Sequence, residues 1–264
     1  MNLEALKLEL TNLTQEQQCW LATRNALRVL PMIAVDGERF PFWKQYAQGH
    51  LFSIFRAMNM ALYLSTQWTE FEKRGIASLT TDITADSAYA AARNCELTST
   101  SLLATHAASC AAAAAHASSL SSHAYAAAAN SINYTGFNNL AERATAYKVF
   151  SADITSMKLN HGLPSWVDLW YGQQPDRILN FEKWLLHGLR SLGLSYWADE
   201  YSNWIVGNFN HEKMERSIFI PEETIKAGPQ MMLEFLQERE RDTGLNSKIL
   251  PQNSWVDPTV QNLN

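Results

Sequence analysis

The chain has 264 residues, 47% of them hydrophobic and 18% charged, with a formal net charge of −5. That length supports one large domain or two small ones, and the composition excludes an intrinsically disordered chain. The acidic balance supplies no basic face for displacing phosphate counterions, so no nucleic-acid partner is expected.

The three cysteines, Cys19, Cys95 and Cys110, are odd in number and lack CxxC spacing, which indicates neither a disulfide framework nor a zinc knuckle. Met1 to Leu10 intersperses leucines with Glu4, Lys7 and Glu9, unlike the apolar core of a signal peptide. No run of about 18 strongly apolar residues occurs, so no membrane partner is expected. Together these features predict a cytoplasmic protein.

In chain order, Leu3 to Leu10 predicts a short helix, and Thr14 with Gln17 forms a Thr-x-x-Gln capping box for the next. That second helix carries Trp20, Leu21, Leu27 and Leu30 before Pro31 stops it. Arg24 and Arg28 lie four apart on it, offering a fork to an anion or pairing with carboxylates. Asp36-Gly37 and Pro41 mark a loop, after which Tyr46 to Trp68 reads as a long helix apolar over more than half its circumference.

Ala85 to Cys95 predicts a helix of small residues, preceded by the capping cluster Thr80-Thr81-Asp82. From Leu97 to Ala141 there is no Asp, Glu, Lys or Arg, and Ala107 to His116 is largely alanine. Alanine favours the helix and permits close approach of a neighbour. Leu103, His106, Cys110, Ala113, Ala117, Leu120 and Ala124 repeat at three-then-four spacing and predict the close-packed seam of a helical spine, where a larger side chain at Ala113 should overpack. Serines at 118, 119, 121 and 122 interrupt the spine, Asn130 to Asn139 predicts a turn, and Leu140 to Leu159 a further helix.

Beyond His161-Gly162-Leu163-Pro164 the alanines give way to Trp166, Trp170, Trp184, Trp197 and Trp204. Pro175 opens a helix through Arg190 that Gly193 closes, a second runs to about Val206 before Gly207, and Pro221 starts the last. That last helix breaks or restarts at Gly228-Pro229 and ends near Arg241. The fold class is all-α: a multi-helix bundle with a central Ala-rich spine and a Trp-rich helical C-terminal half. Its divisions are an Ala-rich region (1–160), a Trp-rich region (161–242) and a tail or linker (243–264).

His106, Cys110, His116 and His123 have spacings compatible with zinc ligation, but no carboxylate lies within the spine to complete a site, so no metal and no cofactor are expected. There is no Gly-rich phosphate loop, HExxH or GxSxG, and the adjacent carboxylates Asp199-Glu200 and Glu222-Glu223 point roughly 100° apart on a helix. Trp197, Tyr201 and Trp204, at i, i+4 and i+7, place three large rings on one helical stripe. Such a stripe is either core or, if exposed, a partner-binding face.

Three segments carry a resemblance: Arg24-Asn25-Ala26-Leu27-Arg28-Val29-Leu30-Pro31; Tyr196-Trp197-Ala198-Asp199-Glu200-Tyr201 with Gly207; and Ile220-Pro221-Glu222-Glu223 with Gly228-Pro229. In order and spacing, over some 200 residues, they resemble uncharacterised bacterial helical proteins in which an Ala-rich region precedes a Trp-rich one. Some of those proteins are joined to effector domains such as Toll/interleukin-receptor domains. The chain departs from that pattern at Glu200-Tyr201, where the group has Trp-Tyr, and it holds no effector domain of that kind.

The resemblance implies a helical module in bacterial antiviral defence or signalling and supplies no catalytic residues. The expectation is therefore a non-catalytic adaptor or recognition subunit. Its partner would be a protein, such as an effector encoded nearby, bound through Trp197, Tyr201 and Trp204. Self-association into a homo-oligomer stays open. The competing expectation is a hydrolase-like enzyme with an unfamiliar active site.

Overall fold

The computed structural model describes residues 3–37, 39–41, 43–67, 85–86, 88–93, 102–116, 127–128, 140–160, 166 and 169–242. Among these every regular element is helical and no strand occurs.

Helix α1 spans Leu3–Leu10 and α2 spans Gln15–Val29. The Thr14 hydroxyl accepts from the Gln17 backbone N–H at 3.2 Å, and the Gln17 side chain accepts from the Thr14 N–H at 3.0 Å, completing the capping box. Gln18 then donates to the carbonyls of Leu10 and Leu13, satisfying acceptors left open where α1 ends. Pro31 ends α2 as expected, but the chain tightens into a 3-10 segment, Leu30–Ala34, rather than leaving for a loop. Proline fits there because a missing N–H costs nothing in a first helical turn.

A short 3-10 turn, Lys44–Tyr46, leads into α3, Ala47–Thr66. The alanine-rich helix α4 spans Leu102–His116 and packs against α2, α3 and the Leu30–Ala34 segment. Ala104, Ala107, Ala108, Ala111, Ala112 and Ala115 are buried. With neighbours on three sides, α4 leaves only Ser109 and Ala113, one turn apart, partly exposed among its described side chains. Ala113, expected on the close-packed seam, thus lies on the open side. Of the other seam positions, Cys110 is buried; the side chains of Leu103 and His106, and residues Ala117, Leu120 and Ala124, lie outside the described ones.

Helix α5, Leu140–Asn160, lies against α1 and α2, and Lys158 pairs with Glu9 at the far end. Helix α6, Asp176–Ser191, packs on the Leu30–Ala34 segment and is followed by α7, Ser195–Trp204. The glycines expected to close these two helices, Gly193 and Gly207, have φ of +75° and +74°, left-handed values that a Cβ disfavours. Gly207 also lies against Trp166, whose Cβ would stand 3.3 Å from any Cβ added there.

Helix α8, His211–Ile218, does not figure among the sequence expectations; α9, Glu222–Ala227, and α10, Pro229–Asp242, follow with the expected break at Gly228-Pro229. α8 packs on α3, where Arg56 donates to the carbonyls of Ser217 and Ile218 and Asn59 to that of Met214. A guanidinium there caps the helix and complements the negative end of its dipole. Buried side chains of the Ala-rich and Trp-rich regions belong to one contiguous core. The tail 243–264 lies outside the described residues, as do the serine interruption and the 130–139 turn. No helix among the described residues is long and apolar enough to cross a membrane.

Ala111→Leu should cost roughly 1–3 kcal/mol through overpacking, and Ala113→Leu clearly less. Urea unfolding of the two variants checks this; equal losses would mean that α4 has no open side.

Candidate functional site

Helix α2 is buried at every residue from Gln18 to Val29, including Arg24 and Arg28. Both arginines reach Asp153 on α5. Arg24 Nε donates to Oδ1 at 3.0 Å, and Arg28 Nη1 stands 2.6 Å from Oδ2. Arg28 also donates through Nε to the Leu169 carbonyl and through Nη1 to the Asn25 side chain, each at 2.6 Å. Of the two roles open to this pair from sequence, carboxylate pairing is the one the fold realises. The ion pairs join α2 to α5, and Arg28 extends the connection to the turn at 169–172.

That turn carries Tyr171, a non-glycine residue at φ +49°. Its hydroxyl donates to Asp153 Oδ1 at 2.8 Å and its ring centroid lies 5.5 Å from the Arg24 guanidinium carbon. Trp20 and Trp166 flank the same guanidinium at 5.1 and 5.9 Å. Burial lowers the Arg24 pKa, an effect that the neighbouring Asp153 charge opposes. Burial, followed by Asp153, pushes the Tyr171 phenol up to about 12. The phenol therefore stays protonated, as a hydrogen-bond donor, across the physiological range.

The stripe expected to face a partner is core. Trp197, Tyr201 and Trp204 are 0%, 1% and 0% exposed. They close on Phe52 and Phe55 of α3, with Phe52 edge-on to Trp197 at 5.5 Å and Phe55 stacked on Trp204 at 6.1 Å. The physical reason is the area at stake: rings of ~150–250 Å² each are driven from water when an aromatic helix stands ready to receive them. Burial also raises the Tyr201 phenol well above its usual value.

An exposed tryptophan of this region is on α6. Ile178, Phe181, Leu185 and Leu189 form its buried face, while Trp184 is 42% exposed and Leu179 38%. Trp184 leans on Phe181 at 5.8 Å between ring centroids, which holds the indole against the body of the protein. Periodicity alone does not single it out, since Trp184 stands three residues after Phe181 and four before Gly188, both buried.

Of the metal candidates, Cys110 is fully buried; the side chains of His106 and His116, and residue His123, lie outside the described ones. Among the described residues no three metal-binding side chains gather. Burial pushes both Cys19 and Cys110 thiols up to about 12, leaving them protonated and poorly nucleophilic. Asp199 is exposed and pairs with Arg190, whereas Glu200 is buried and pairs with Lys213, so these neighbours serve different surroundings.

No family model, curated protein or solved structure matches the chain.

Asp153→Ala strands two buried guanidiniums and should destabilise the protein by roughly 3–5 kcal/mol in chemical denaturation. Trp204→Ala should cost about as much through the cavity it leaves. A Trp204→Ala protein that unfolds at the wild-type midpoint would put the stripe back on the surface.

Proposed function

We propose that the chain is a non-catalytic helical adaptor or recognition module that docks a protein partner through the outer face of α6. The observation that carries this reading is Trp184, a large side chain 42% exposed on a helix whose opposite face is anchored in the core. A rigidly mounted tryptophan loses little freedom on binding, and tryptophan is enriched among residues that dominate interface energies. Leu179, 38% exposed and five residues earlier, is a second exposed apolar side chain of the same helix, about 140° round from it.

The resemblance to bacterial helical proteins joined to effector domains supports the class of partner: an effector of a defence or signalling system, encoded beside this chain and met in the cytoplasm. Docking on α6 leaves Trp197, Tyr201 and Trp204 as the support of the fold rather than the contact.

Co-expression with the products of adjacent genes should recover a complex. Trp184→Ala should weaken it by about 2 kcal/mol or more while the melting temperature stays within a degree or two of wild type. A complex that tolerates both Trp184→Ala and Leu179→Ala would move the docking face elsewhere. Turnover of a substrate by the purified chain, abolished by one polar substitution, would replace the adaptor with an enzyme.

A further inference from the structure

Helix α4 has one open side, and a cavity of about 270 Å³ lies against it. Its described lining is Asp86, Tyr89, Ala92 and Arg93 on one wall and Ser109 of α4 on the other. Residues 85–86 and 88–93 are helical, with Ala85, Ala88, Ala91 and Ala92 buried, and the Ala91 carbonyl accepts from the Trp43 indole N–H at 3.2 Å. The first wall is therefore fixed to the body through its alanines, which leaves its polar face to the cavity.

Seven residues make about two helical turns, so Asp86, Tyr89 and Arg93 share one face, the two charged positions roughly 10 Å apart along the axis. Helical side chains lean toward the N-terminus, which inclines Arg93 back over Tyr89 toward Asp86. Both charged residues are exposed, and among the described residues neither makes an ion pair. The opposite wall supplies no counter-charge, because α4 holds no Asp, Glu, Lys or Arg. The cavity thus presents one carboxylate and one guanidinium, with a ring and a methyl group between them and a hydroxyl opposite.

We propose that this cavity binds a small zwitterion: an amine and a carboxylate on one short carbon chain, as in an amino acid. The ligand's ammonium pairs with Asp86, and its carboxylate accepts from the Arg93 guanidinium, whose planar fork suits paired oxygens. Tyr89 and Ala92 cover the carbon chain, and the Ser109 hydroxyl closes the polar side. The volume stands at the small end of ligand pockets, too small for a nucleotide and fitting for a molecule of amino-acid size. A ligand with a single charge leaves the other wall group unanswered, so the dipolar ligand is preferred over either simple ion. This site does not depend on the adaptor reading.

Free alanine and γ-aminobutyrate, titrated separately into the full chain at ionic strength held constant with sodium chloride, distinguish adjacent from separated ligand charges by calorimetry and melting temperature. Exposed charges bind weakly, so the titrations run into the millimolar range. At least one of the two should bind saturably, one per chain, with a matching rise in melting temperature. Acetate and ethylammonium, with one charge each, should bind about tenfold more weakly or not at all. Asp86→Asn and Arg93→Gln should each weaken the zwitterion about tenfold while leaving the fold intact by circular dichroism. If either variant does not fold, the single-charge probes decide alone, preference for the zwitterion supporting the site and equal binding overturning it. The proposal is overturned if neither amino acid binds saturably, or if acetate or ethylammonium binds as tightly. An affinity unchanged in either folded variant overturns it too, since the ligand then does not use both charges of this cavity.

Discussion

A single carboxylate ties together three stretches that are far apart in the chain. Asp153 receives Arg24 and Arg28 from α2 and Tyr171 from the turn after residue 168, and all the ionic members are buried. Apolar burial is non-directional and tolerates many arrangements, whereas a buried carboxylate is acceptable only where its donors converge. The cluster therefore acts less as a source of net stability than as a constraint: α2, α5 and the 169–172 turn have to meet in one register or leave charges stranded.

The same logic runs along the whole of α2. A helix buried all round is ordinarily apolar, yet this one carries Gln18, Thr23, Arg24, Asn25 and Arg28 inside the protein. Asn25 accepts from Arg28 within the helix, and the other four reach out to neighbours. Gln18 closes the end of α1, Thr23 bonds within α2 and reaches the Ala61 carbonyl of α3, Arg24 goes to α5, and Arg28 goes on to the Leu169 carbonyl. The remaining side of α2 meets α4, where alanines allow close packing. The alanine-rich helix supplies proximity, and α2 supplies direction.

What was legible in the sequence was local. The Thr14-Gln17 box, Pro175, Gly193 and Gly207 fix helix ends through contacts or dihedrals within a few residues, and all four mark the observed ends. Helix α8 escaped because its apolar signal is thin, with Met214 and Ile218 one turn apart. The usable cue was Asn210, whose side chain accepts from the Lys213 N–H. The partner of Arg24 lies 129 residues away, a separation that no local pattern encodes. Its trace in the sequence is an aspartate among Phe150, Ile154 and Met157 on the buried side of α5. Periodicity likewise placed Trp197, Tyr201 and Trp204 on one stripe, but whether a stripe is core depends on what covers it. Phe52 and Phe55, far earlier in the chain, make that decision.

The burial of that stripe changes what a tryptophan-rich composition means for recognition. Aromatic rings that fill a core cannot meet a partner without unfolding the helix that bears them, so their abundance measures the size of the core rather than the size of an interface. A side chain can be exposed without cost to the core only where others anchor its helix, and Trp184 meets that condition because Phe181, Leu185 and Leu189 already do so. Helix α6 in turn packs on the Leu30–Ala34 segment, which continues directly from the helix bearing Arg28. The exposed indole and the ion cluster thus share one mount. The 169–172 turn has one end on Asp153 and leads through Pro175 into α6, so the chain also joins the two directly.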